Sequence, residues 1–219
     1  MKYLCENTQN VVLGYQQSDE ISLLLIDYKK LESQAFFDYE VQKVCSITAS
    51  MATLAFNRAF HDVSSRYFNS ILTDHQLLYL NEEDEKYYDI INKAYKKGAM
   101  FDSRCFNIPA EEVINYFYWR ESDAIRNSIQ MVGQANFSHK ELQNKSCANI
   151  KDMLLESGID WDDLPTHQQR GSCCIKTSED VNGILRSKWI IDNDIPIFVN
   201  EGRDYVEKLL ILYLWDLKS

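Results

Sequence analysis

Proline and glycine are scarce, at three and seven of 219 residues. So few breakers exclude a chain made mainly of loops and require regular elements to dominate. Long apolar runs are missing too. The longest, Leu209 to Trp215, has seven residues, against the roughly 20 a membrane span needs, so no membrane association is expected. The N-terminal MKYLCENTQN has no signal-peptide core, which leads to the expectation of a cytoplasmic protein. The six cysteines (Cys5, Cys45, Cys105, Cys147, Cys173, Cys174) include no CxxC pair and no matching histidine spacing. Reduced thiols in a cytosolic protein are therefore expected rather than a zinc site or a disulfide framework. Basic residues are outnumbered, 23 against 33 acids, for a net charge of −10. That excludes indiscriminate coating of nucleic acid, which needs a basic field, but leaves room for a local basic groove. What remains is an ordinary globular balance, 45% hydrophobic and 26% charged, which is not that of a disordered chain.

Along the chain, residues 1–9 read as the last turns of a helix and Val11 to Tyr15 as a short strand. Gln16-Gln17-Ser18 is a turn, and Asp19 to Tyr28 a second strand. Its continuous apolar centre, Ile21 to Ile26, suits a central strand buried on both faces. From Ser33 to His61 the period is helical, with Phe37, Val41, Val44, Thr48, Met51, Ala55 and Phe56 on one stripe and Lys43 off it. Glu82 to Glu85 reads as a solvated helix start. Ala99 to Ile108 is expected as a strand, and Ala110 to Asn136 as a long helix. Beyond it come a helix from Ser138 to Ser157, a loop from Trp161 to Arg170, strands at Gly171–Thr177 and Arg186–Asp192, and a helix from Glu201 to Leu217. The expected fold class is α+β, with a core over 1–137 and a C-terminal helical and hairpin region over 138–219.

Two groups of residues have the makings of a site. Ser18-Asp19-Glu20 lies at the mouth of the hairpin, where a sheet edge fixes carboxylates yet leaves them reachable. Phosphoryl and nucleotidyl transfer with Mg²⁺ uses such carboxylates, because the ion takes a few rigid oxygens plus substrate phosphates. Alternation turns Asp19 and Glu20 to opposite faces, so their side chains alone do not share one ion. A solvated turn is the plainer reading. On the long helix, Tyr116, Arg120, Asp123, Asn127 and Gln134 form one polar stripe opposite Ile114, Phe117, Ile125, Ile129 and Val132. A simple Arg120–Asp123 pair on an exposed face explains that stripe equally well.

The segments Gly14-Tyr15-Gln16-Gln17-Ser18-Asp19-Glu20-Ile21-Ser22 and Tyr118 to Ser128 together resemble the tRNA-histidine guanylyltransferase family, in its bacterial and phage branch of 3′-to-5′ RNA polymerases. Met100 to Arg104, Leu164-Pro165 and Arg170-Gly171 fit the same pattern in order, so the resemblance runs at least from Val11 to about Ile175. It implies a palm-like, ferredoxin-like βαββαβ antiparallel sheet with a helical layer and a C-terminal appendage. The implied activity adds nucleotides to the 5′ end of tRNA, using GTP or ATP and Mg²⁺, in a homotetramer. By residue match, Asp19 is a metal-binding carboxylate and Ser18 a nucleotide contact. Lys43 is a triphosphate contact, and Asp123 and Asn127 lie near the nucleotide and the 5′ end, Asp123 as a catalytic residue with Asp19 and Asn127 as a nucleotide contact.

One departure stands out. The family's second metal-binding aspartate lies in an R-x-D-G-x-x-F segment on an earlier strand, and this sequence has no Asp-Gly dipeptide at all. The expectation is a truncated sheet, lacking its first strand and half of the metal site and exposing an unpaired edge. Three explanations stay open: a late start, a gene fragment, or a chain that has lost catalysis. The alternative function is accordingly a non-catalytic RNA-binding or subunit-like relic of the same family.

Overall fold

The computed structural model describes residues 1–28, 32–73 and 82–211. The chain divides into two compact units, one formed by Met1–Phe36 and Asn107–Ser219, the other by Phe37–Phe106. This division does not coincide with the boundary expected after residue 137. The reason is that the C-terminal strands are hydrogen-bonded partners of the N-terminal hairpin, not neighbours in a separate region.

The first unit holds a four-stranded antiparallel sheet in the order β2-β1-β3-β4. Its strands are β1 (Val11–Gln17), β2 (Glu20–Leu25), β3 (Ser172–Val181) and β4 (Ile184–Asp192). The expected hairpin is present, but it turns at Ser18 and Asp19 rather than at Gln16-Gln17-Ser18, because Gln16 and Gln17 continue the ladder with Gln17 opposite Glu20. Ser18 takes φ 48°, the left-handed backbone that a two-residue hairpin turn demands. Which strand is central differs from expectation. β1 pairs on both sides and is almost wholly buried, whereas the more apolar β2 is an edge strand of intermediate exposure. Apolar content alone does not say how many neighbours a strand has. The second hairpin, β3–β4, turns at Asn182-Gly183, both with positive φ. That dipeptide favours a tight primed turn, and the strands accordingly run longer than expected.

β1 is buried on both faces. Leu13 and Tyr15 belong to the main core, formed with Val113, Ile114 and Phe117 of α4 (Val113–Asn136), with Ile195 and Phe198, and with Val206 and Leu210 of the last described helix (Asp204–Ile211). On the other face Val11 meets Cys5 and Cys174 beneath α1 (Lys2–Asn7). Gly14 is needed there, because a Cβ at this position would stand 2.5 Å from the Cys5 sulfur. A third cluster, Ile129, Ile150, Leu154 and Trp161, joins the far half of α4 to the helix Cys147–Glu156.

The expected helix over 138–157 is two helices, His139–Leu142 and Cys147–Glu156, each opened by a serine capping box. Asn144, at φ 61°, interrupts them. Short helical turns, Trp161–Asp163 and Thr166–Arg170, replace the expected loop around Pro165. The final helix is described to Ile211; Tyr213, Trp215 and Leu217 lie outside the described residues.

The second unit packs α2 (Val41–Thr73) against α3 (Glu82–Lys97). Aromatic rings line the seam, with His61 stacked on Tyr95 at 3.8 Å and Phe68 meeting Tyr88 at 5.1 Å. The acidic run opens α3, but the side chains of Glu83 and Asp84 lie outside the described residues. The strand expected at Ala99–Ile108 is absent. This segment is extended but makes no ladder, and its polar pins come from side chains of α2. No helix among the described residues is long and apolar enough to cross a membrane.

Candidate functional site

β1 and β2 project the Ser18–Asp19 turn from one end of the sheet, and Ser18, Asp19 and Glu20 are all exposed there. α4 lies on the face that residues 20, 22 and 24 of β2 share. Three contacts fix it: Leu24 in the core, the Ser22 hydroxyl 3.0 Å from the Tyr116 hydroxyl, and an ion pair between Glu20 and Arg120. The hairpin mouth and the polar stripe of α4, far apart in sequence, are thus one surface.

Arg120 is the hinge of this surface. Its guanidinium is mostly buried, pairs with Glu20, reaches Asp123 at 3.9 Å and lies 4.8 Å from the centre of the Trp119 ring. Glu20 also accepts from the Gln17 amide at 2.8 Å. Asp123 accepts from Arg126 at 2.5 Å through one oxygen and from the Asn127 amide at 3.2 Å through the other. Asp123 and Asn127 therefore stand together, as their spacing suggests. Gln134, two turns on, is exposed and takes no part in this network. The plain Arg120–Asp123 pair exists, but it is the loosest contact of the group. Glu20 is the partner that sequence spacing did not reveal.

Lys43 lies in the other unit, on the first turn of α2. There it pairs with Glu40 at 3.4 Å and lies 5.5 Å from the centre of the Phe37 ring. Asp19 makes no hydrogen bond or ion pair among the described residues. Among those residues no three His, Cys, Asp or Glu side chains cluster as metal ligands, and the neighbouring Glu20 carboxylate is engaged by Arg120 and Gln17. One free carboxylate does not by itself fit a divalent ion, which calls for a second fixed oxygen ligand.

A buried support lies behind the surface. Glu121 is fully buried beneath the stripe, where one oxygen accepts from the Phe198 N–H at 2.8 Å. The other has no hydrogen bond and faces the Arg170 Nε at 3.7 Å. Burial pushes its carboxyl up to about 7, against the pull of the Phe198 N–H and Arg170. Arg170 in turn donates to the Ile195 carbonyl at 2.9 Å, and its own carbonyl accepts from the Tyr15 hydroxyl at 2.6 Å. Burial also holds the Tyr15 hydroxyl well above the ordinary phenol range, so it stays a donor. Gly171, at φ 93°, lets the chain pass β1, because a Cβ there would collide with the Gln16 carbonyl. Helical spacing was the signal for Glu121, since it falls four residues after Phe117 on the apolar side of α4.

Comparisons with known proteins bear on the family and the fold. The model of the Thg1 family, tRNAHis guanylyltransferase, matches residues 1–109. A solved bacterial tRNA(His) guanylyltransferase (Thg1)-like protein in complex with ATP superposes with a TM-score of 0.71 at 37% identity, over 95% of this chain and 74% of its own. A bacterial Thg1-like protein in complex with GTP gives 0.63 at 35% identity, over 95% and 73%. No curated protein matches the sequence. With that identity over nearly the whole chain, and with the hairpin mouth and helix stripe joined in one surface, the chain belongs to the tRNAHis guanylyltransferase family.

Proposed function

We propose that this protein takes part in adding nucleotides to the 5′ end of tRNA, in tRNA maturation or repair, with GTP or ATP as substrates. The observation that carries the reading is the union of the projecting Ser18–Asp19 turn with the Arg120–Asp123–Asn127 stripe through the Glu20–Arg120 ion pair. Relatives of this fold in complex with ATP and with GTP support nucleotide as the substrate class.

In this reading Ser18 and Asn127 contact the nucleotide. Asn127 gives one amide hydrogen to Asp123, and in this reading its remaining donor and its carbonyl are the groups that meet the nucleotide. Arg126, more than half exposed beside Asp123, offers a cation to a phosphate. Arg120 acts as a positioning residue, because its charge is spent on Glu20 and Asp123 and its plane rests near Trp119. Lys43 is assigned a triphosphate contact. Asp19 is assigned as a metal-binding carboxylate by the family resemblance, and Mg²⁺ would supply neutralisation of phosphate charge, but Asp19 on its own does not complete a site for the ion. The implied assembly is a homo-oligomer, a tetramer by the family's example.

The isolated Asp19 favours a second reading, a family member that binds RNA or nucleotide without transferring it. Incorporation of labelled GTP at a tRNA 5′ end separates the two. Transfer by the chain with Mg²⁺, lost in Asp19→Asn, supports the enzyme. Binding of tRNA without transfer supports the relic.

A further inference from the structure

Residues 99–105 run along α2 in a regular series of side-chain rungs. The Asn57 amide group donates to the Ala99 carbonyl and accepts from its N–H, both at 2.8 Å. Thr53 accepts from the Phe101 N–H at 3.2 Å, and the Thr48 and Ser103 hydroxyls meet at 2.7 Å. Positions on the segment advance by two while positions on the helix step back by about one turn. Residues 101, 103 and 105 are accordingly half-buried, and 102 and 104 exposed. The last rung is Cys45 with Cys105, whose sulfurs stand 3.6 Å apart with both side chains half-buried.

We propose that Cys45 and Cys105 form a redox-responsive dithiol, which a low-molecular-weight disulfide oxidises to an intramolecular disulfide. Two features separate this pair from the other cysteines. Cys5, Cys173 and Cys174 are buried, and Cys147 is half-exposed but lies in the other unit. Bond formation needs the sulfurs to close from 3.6 Å to about 2.05 Å, a change that side-chain rotation supplies while the neighbouring rungs hold the backbones in place. One protein thiolate attacks the small disulfide and expels a small thiolate, leaving a mixed disulfide. The second protein thiolate then attacks the protein-bound sulfur and expels the second small thiolate. Two protein thiols are oxidised, one small disulfide is reduced to two thiols, and their protons end on those thiols.

The location gives the bond a consequence. Cys45 follows closely on the start of the second unit at Phe37, and Cys105 immediately precedes its end at Phe106. The disulfide therefore closes nearly the whole unit covalently, stapling residues 60 apart in sequence. A cross-link over so long a loop restrains the unfolded chain strongly, so the oxidised unit resists unfolding.

The test uses the full reduced chain treated with oxidised glutathione, quenched with an alkylating agent, digested and mapped by mass spectrometry without reduction. The expected species joins the Cys45 and Cys105 peptides, two hydrogen atoms lighter than their sum, and reverts with dithiothreitol. Cys147→Ser keeps the link, whereas Cys45→Ser and Cys105→Ser each lose it. The oxidised chain also shows a higher urea midpoint, which the reductant abolishes. Alkylation of both cysteines, separate glutathionylation of each, or a link from either one to another cysteine overturns the proposal. Because the link is mapped on the parent chain, misfolding of a variant leaves the parent's result decisive.

Discussion

Glu121→Gln tests the buried support through its pH dependence. The Glu121 carboxyl moves from its ordinary 4.5 up to about 7 on folding, chiefly by burial. A folded acid with a raised value binds more protons than the unfolded chain between those two points. Stability contributed at this position is therefore greatest below 4.5, falls as pH rises toward 7, and levels off above it. At about 1.4 kcal/mol per pH unit, the loss from about pH 5 to about pH 8 amounts to roughly 2–3 kcal/mol. The amide does not titrate, and its carbonyl still accepts from the Phe198 N–H. The attraction between the ionised carboxylate and Arg170, which stays protonated throughout, is already contained in the value of about 7 and adds no separate pH dependence. Urea unfolding of parent and variant, read by tryptophan fluorescence at both pH values, isolates the difference. The variant should gain roughly 2–3 kcal/mol relative to the parent at the higher pH. A variant-to-parent difference that stays within about 0.5 kcal/mol across the two would refute a carboxyl raised by burial.

Three further outcomes are expected. Asp19→Asn should abolish labelled GTP incorporation in any form of the protein that carries out transfer, yet shift stability by no more than about ±0.5 kcal/mol, since the turn is exposed. Equal incorporation by parent and variant at saturating Mg²⁺ would remove Asp19 from the metal. Gly171→Ala should lower stability by at least about 2 kcal/mol in thermal unfolding, because positive φ and the Gln16 carbonyl both oppose a Cβ. Phe117→Ala, at the centre of the main core, should cost about 3–5 kcal/mol by urea titration, and a loss below about 1 kcal/mol would mean this core is not what holds α4 to the sheet.

Much of the architecture is legible in local pattern. Val11 to Tyr15 and Asp19 to Tyr28 announce a hairpin, found as β1 and β2, and the alternation of polar and apolar positions from Ala110 to Asn136 announces α4 and its two faces. The failures share a cause. Ala99–Ile108 has the residues of a strand, but its neighbour is a helix whose side chains take its polar groups, so no ladder forms. β2 has the richer apolar run, yet β1 is central because β3 arrives from the far end of the chain to pair with it.

The same division holds for the site. The sequence alone determined that a hairpin turns near Ser18 and that Arg120, Asp123 and Asn127 share a stripe, because turn chemistry and helical period act over a few residues and are written where they act, and its ordered motifs carried the family resemblance. Only the tertiary structure decided that Glu20 takes Arg120, that Glu121 is buried against Phe198 and Arg170, and that Cys45 meets Cys105. Those partners are brought together by burial of apolar faces across long stretches of chain. Periodicity says which face is buried, but packing chooses what lies opposite.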